Sequence, residues 1–301
     1  MIRRTRIPGP VQQNWDLSPG SASSPHERRA LGAVALQSKA FALPSGLVAN
    51  YDLWHPQALG AGILRNNVTS PADGSARSAY DLFLGTTAAV QTSDPAIANS
   101  SSISEACLQF STGQTLTLSS GTNTTFIESM HKLSAEFTLE FLIKNQPYSA
   151  TTTDLNQIFQ TRNTAGNIGV EFLIRPGGQS GKIFAQTWAG TGPGIVCTSN
   201  VSFPAGCESE LTYVAFSYKD SLNAGFWNMN GVSTAFSGFR TGTPSTSAAT
   251  SALGISGSSG GVRNLLSGTS VYFVRLYNRA LTDSEILQNY RQCIKRFPTL
   301  P

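Results

Sequence analysis

The sequence predicts an all-β fold: a two-sheet antiparallel jelly-roll sandwich over residues 46–301, preceded by an extended basic arm over 1–45 and closed by a short C-terminal helix. Three observations carry this. About a dozen short stretches alternate apolar and polar residues and recur at regular spacing between turn residues. Only 13% of residues are charged while glycine alone numbers 28, which suits many turns and a weakly charged surface. The segment 268–290 reads as one long, nearly buried strand followed at once by a capped helix.

Along the chain, residues 1–23 are rich in Pro, Gly, Ser and Gln and show no period, as an extended arm does. Ser24-Pro-His-Glu27 is a capping box with Pro at the first helical position, and Leu31, Val34 and Ala35 follow at helical spacing, so a short helix is expected over 25–40. Gly46–Trp54 opens the sandwich, and residues 55–104 read as turns, with Pro56, Gly60, Pro71, Asp73-Gly74 and Asp94-Pro95. Cys107–Phe110 and Thr115–Leu118 suggest a hairpin around Ser111–Gln114, and 126–131 a turn of helix.

Strands are then expected at 136–144, 157–161, 169–174, 182–188, 210–218 and 224–230, with a short one at 253–255 between the loops 241–251 and 256–261. Asn230-Gly231 is the strongest hairpin signal, because both turn positions need positive φ. In 271–276, Val271, Phe273 and Arg275 alternate with Tyr272, Val274 and Leu276. Thr282 and Glu285 form a capping box, Leu281 is placed to staple Ile286, and Ile286, Tyr290, Cys293 and Phe297 mark an apolar helix face. The helix is expected at the edge of the sandwich.

Val274–Ile286 resembles the closing signature of laminin-G-like domains in the concanavalin A-like jelly-roll superfamily. Phe137–Lys144 resembles that family's central core strand, and Leu211–Tyr218 with Phe226–Gly231 resembles its paired strands ending in an Asn-Gly turn. The resemblance covers roughly residues 46–293 and implies a fold more than an activity, since one sandwich hosts unrelated functions.

Charge is uneven. The net +4 sits in residues 1–40, where Arg3, Arg4, Arg6, Arg28, Arg29 and Lys39 face only Asp16 and Glu27; the remainder is neutral. The sandwich therefore has no electrostatic reason to seek nucleic acid, and the arm reads as a partner-docking tail anchored by Trp15 and Leu17. No apolar run follows the basic start, so no secretory signal is expected, and no stretch of about 18 apolar residues indicates a membrane span. Cys107, Cys197, Cys207 and Cys293 lack zinc-knuckle spacing; Cys197 and Cys207 bracket a polar loop and could bridge, while Cys293 reads as a small core residue.

Four constellations bear on chemistry. Glucanases of the superfamily carry Glu-x-Asp-x-Glu on one strand, with one Glu as nucleophile and the other as general acid and base. Here Glu136 and Glu140 keep that spacing, but Thr138 replaces the central acid, so no enzyme is expected and no catalytic residue is assigned. Laminin-G-like domains often hold calcium, yet Asp52, Asp73, Asp81, Asp94, Asp154 and Asp220 are scattered without a ligand cluster, so no metal site or cofactor is assigned. His26, His55 and His131 have no companion ligands, and no nucleophile elbow or phosphate loop is found. Trp54, Trp188, Trp227 and Tyr218 read as core aromatics, or as sugar platforms if exposed.

Two functions compete. In one, the chain is a non-enzymatic structural protein of a virus particle, a tailed phage above all. The arm attaches it to capsid or tail subunits through Arg3, Arg4, Arg6, Trp15, Leu17, Arg28 and Arg29, and the jelly roll is displayed on the virion. In the other, it is a glycan-binding module, alone or on a tail fibre, that takes a host surface glycan.

Overall fold

The computed structural model describes residues 43–53, 59–60, 62–99, 102, 105–111, 113–144, 156–162, 167–175, 182–190, 195–202, 210–256, 265 and 267–300. The chain divides into two units, Met1–Ala42 and Leu43–Pro301. The helix expected at 25–40 and the anchors Arg3, Arg4, Arg6, Trp15, Leu17, Arg28 and Arg29 lie outside the described residues, as do Trp54, His26, His55, Asp154 and Cys207.

The second unit is a two-sheet antiparallel β sandwich. In chain order its strands are β1 (Leu47–Asp52), β2 (Leu59–Gly60), β3 (Ile63–Leu64), β4 (Leu82–Leu84), β5 (Ala96–Ala98), β6 (Cys107–Gln109), β7 (Leu116–Leu118), β8 (Glu136–Lys144), β9 (Asn156–Gln160), β10 (Ile168–Arg175), β11 (Lys182–Ala189), β12 (Ile195–Ser202), β13 (Leu211–Lys219), β14 (Ala224–Met229), β15 (Val232–Ser237), β16 (Gly254–Ile255) and β17 (Ser270–Tyr277). Among the described residues two α-helices accompany them, α1 (Thr125–Ser129) and α2 (Asp283–Arg296). The first sheet runs β15-β14-β13-β8-β17-β6-β5, with β1 also paired to β17; the second runs β12-β11-β10-β9-β16-β7-β4-β3-β2.

Alternation along β8 explains the layering. Phe137, Leu139, Phe141 and Ile143 point between the sheets, where they meet Val214, Phe216 and Tyr218 of β13 and Phe159, Phe172 and Ile174 of the second sheet. Phe216 is the hub of this core. Its ring centroid lies 4.7 Å from Trp227, 5.2 Å from Phe236, 5.3 Å from Phe172 and 5.7 Å from Phe137. The opposite face of the first sheet is covered as well. Leu142, Tyr213, Phe273 and Tyr277 pack under Leu281, Ile286, Tyr290, Cys293 and Phe297 in a second apolar cluster.

Helix α2 thus lies across the outer face of the first sheet and not at the sandwich edge. Its start is fixed as the sequence requires: the Thr282 hydroxyl accepts from Glu285 N, and the Glu285 carboxylate accepts from Thr282 N at 2.8 Å. Arg279 bonded to Glu285 holds that carboxyl down at about 2, so the cap stays charged. At the other end Arg296 forks onto Asp52 of β1.

Several expectations change. Residues 59–60, 63–64, 82–84 and 96–98, read as turns, contribute strands too short to show a period. β6 and β7 are not a hairpin; they belong to different sheets, so 110–115 crosses the sandwich. Residues 195–202, which overlap the polar loop read between Cys197 and Cys207, form β12 at a sheet edge, where little alternation is demanded. A register shift between Val271 and Phe273 moves Val271 to the inner face with Val274 and Leu276. The Asn230-Gly231 turn stands, with φ of 50° and 83°.

Candidate functional site

The carboxylates of β8 come first. Alternation puts Glu136, Thr138 and Glu140 on the outer face together, but they do not line a cleft. Glu136 pairs with Lys219 at 3.1 Å on the partly exposed rim. Glu140 is 0% exposed beneath α2. It accepts from Tyr213 Oη at 2.9 Å, from Asn289 Nδ2 at 2.7 Å and from Tyr277 Oη at 3.3 Å, with Arg275 Nη1 at 3.5 Å.

Burial, and then Glu140, push both tyrosines well above their ordinary pKa, so they stay donors. Burial works against the charge of Arg275, but neighbouring groups, Glu140 and Asp52 among them, raise its pKa above the usual value. The arginine also lies over the Phe273 ring, 4.1 Å from its centroid. Thr138, standing where a glucanase has its central acid, is a fastening point. It donates to Arg279 O at 3.0 Å and accepts from Leu281 N at 2.8 Å, tying the entry to α2 onto the sheet. A carboxylate sealed from substrate cannot act on a glycosidic bond.

The other candidates are likewise engaged. Trp227 and Tyr218 are core. Trp188 donates to Glu171 at 2.7 Å, and one face of its ring is taken by Arg162, 4.0 Å from the ring centroid. Asp73 accepts from Ser75 and Tyr80, Asp81 from Asn66 N, and Asp220 from Tyr218 and Ser134 N. No group of three or more His, Cys, Asp or Glu that could hold a metal occurs among the described residues. His131 is buried with Nε2 3.0 Å from Ser247 O, and burial lowers its pKa. Cys107 and Cys293 are buried free thiols, and burial pushes Cys293 up to about 12. No helix among the described residues is long and apolar enough to cross a membrane.

Sequence reasoning missed a concavity that the described residues form. A groove of about 500 Å³ opens on the second sheet where β4, β7, the 118–121 turn and the 250–252 segment meet. Phe83, Thr86, Thr117, Ser119, Ser251 and Ala252 are among its lining residues, and none of the lining side chains is charged.

Its walls are held from α1. Thr124 caps that helix by accepting from Ile127 N. Asn123, just before it, donates to Ser251 O at 2.9 Å and accepts from Leu253 N at 2.8 Å, while Glu128 accepts from Ala249 N at 2.8 Å. Thr117 is spent on Gly85 O at 3.0 Å. The hydroxyls of Thr86, Ser119 and Ser251 make no hydrogen bond to the protein among the described residues. Half-buried Phe83 lies beside them. The arrangement offers hydroxyl donors and acceptors around one aromatic face, with no acid, base or metal. The only sequence signal was Leu82-Phe83-Leu84, an apolar triplet inside a stretch read as turns.

No protein-family profile and no curated protein sequence matches the chain. Solved structures similar in fold include a binding domain of botulinum neurotoxin DC in complex with SialylT, at 9% identity and a TM-score of 0.56, over 83% of this chain and 52% of that one. The same binding domain in complex with rat synaptotagmin II matches at 9% identity and 0.55, over 82% and 52%. The receptor binding domain of the botulinum neurotoxin C/D mosaic serotype matches at 11% and 0.55, over 82% and 51%. The chain spans about half the length of these structures, and at this identity the likeness shows the β-sandwich fold alone.

Proposed function

We propose that residues 43–300 form a non-enzymatic recognition module that takes a neutral glycan in the groove beside Phe83. The observation that carries this is the groove lining: three hydroxyls without a hydrogen bond to the protein among the described residues and a half-buried ring, with no charged side chain. Sugars present that pairing of hydroxyls and an apolar C–H face. The sealing of Glu140 argues against hydrolysis. That the fold neighbours are binding domains, one in complex with SialylT and another with rat synaptotagmin II, supports recognition over catalysis.

A glycan array followed by titration calorimetry tests it. Phe83→Ala and Ser251→Ala should each weaken the best hit by about tenfold, the loss of ~1.4 kcal/mol. An array without hits, or unchanged affinity in both variants, sinks the idea.

The proposal includes display. The module is carried on a virion, a phage particle above all, and fastened to a capsid or tail subunit by residues 1–45. Support comes from the sequence, where the arm holds the net charge and the apolar anchors Trp15 and Leu17. Deleting residues 1–45 should leave the sandwich folded, with nearly unchanged melting, but absent from assembled particles. Normal occupancy after truncation would show that the sandwich itself carries the interface.

A further inference from the structure

We infer that β15 is a dimerisation edge, and that its partner is the same strand of a second copy, paired antiparallel about a twofold axis through Ala235. Four observations converge. First, Val232–Ser237 is the last strand of its sheet among the described residues, paired there with β14 alone, and it is exposed along nearly its whole length, Val232 by 70%.

Second, the strand lacks the devices that keep sheet edges apart. Val-Ser-Thr-Ala-Phe-Ser has no charge and no proline, and its register with β14 runs unbroken from Met229↔Val232 to Ala224↔Ser237. It is also firmly held. Phe236 stacks on Phe216 at 5.2 Å and 9°, and Ser233 accepts from Asn228 and donates to Asp283.

Third, the two-residue turn at Asn230-Gly231 sets which backbone groups face out. In such a hairpin Met229 and Val232 exchange hydrogen bonds, and the ladder then alternates. The N–H and C=O of Ser233, Ala235 and Ser237 therefore point away from β14.

Fourth, the strand is complementary to itself. A twofold axis at Ala235 sets Ser233 against Ser237 of the other copy and Thr234 against Phe236, an aromatic–β-branched pair of the favourable kind. A partner chosen by these features is an uncharged strand whose outward backbone groups repeat the same two-residue spacing, as those of a second copy do. The two first sheets then continue as one across the axis.

The test is a charge swap at the axis, read by sedimentation equilibrium on the full chain at about 0.1 mM, well above the Kd of a micromolar dimer. Wild type should sediment as a dimer. Ala235→Lys and Ala235→Glu each set like charges face to face and should shift the equilibrium toward monomer, with the fitted association constant weakened by at least about tenfold. An equimolar mixture of the two variants should dimerise again. Both substitutions are at an exposed position, and circular dichroism checks that the fold is kept. A monomeric wild type overturns the inference. So do variants that associate as tightly as wild type, which would place the interface elsewhere, or a mixture that associates no better than either variant alone, which would rule out self-pairing at Ala235.

Discussion

Arg275→Ala should destabilise the protein by about 3–5 kcal/mol, because it leaves Glu140 buried without its counter-charge. Tyr213, Tyr277 and Asn289 would still donate to the carboxylate, but hydrogen bonds from neutral groups do not replace a guanidinium at that depth. The variant also removes the group lying over Phe273. The double replacement Glu140→Gln with Arg275→Met should recover most of the loss, since it removes both buried charges and leaves an amide oxygen to accept from Tyr213 and Asn289. Urea denaturation of the two variants and wild type gives the comparison. A loss below about 1 kcal/mol in Arg275→Ala would mean that Glu140 does not need the arginine, contrary to the geometry.

Phe216→Ala should cost a similar ~3–5 kcal/mol through a different mechanism, the cavity left at the centre of the aromatic core. The neighbours are large rings from both sheets, poorly able to collapse into the space. Phe216→Leu should retain about half of the lost stability, because it refills part of the volume. Melting curves that separate the two variants by nothing would place Phe216 at the margin of the core. The predicted loss in Phe216→Ala should be accompanied by weaker self-association, because Phe236 of β15 rests on that ring.

How much was legible in the sequence follows from where each signal resides. β8, β13, β17 and α2 are long and buried, and their patterns are local: nine residues of alternation in β8, a capping box at Thr282. Strands of two or three residues such as β3 and β4 have no room for a period, and an edge strand such as β12 is under little pressure to show one. The face of Val271 was misjudged because a bulge at Tyr272 resets the alternation. The burial of Glu140 could not be read locally, since Asn289, which helps seal it, lies 149 residues away. The groove was hidden for the same reason. Residues near 83, 117 and 251 meet only after the second sheet has formed, and the Asn123 clamp acts across 128 residues.

The place of β17 has a consequence for biosynthesis. It pairs with β1, β6 and β8, and Arg296 beyond it closes onto Asp52 across 244 residues. An interior strand of the first sheet is thus translated after every strand it joins. On the ribosome, β1 and β8 emerge with one edge each still waiting, and no early subset of strands can complete the sheet. Pairings this distant in sequence close slowly, and the waiting edges attract other nascent chains. Expression yield should therefore depend more on holdase chaperones and on translation speed through 268–300 than on the equilibrium stability of the finished sandwich.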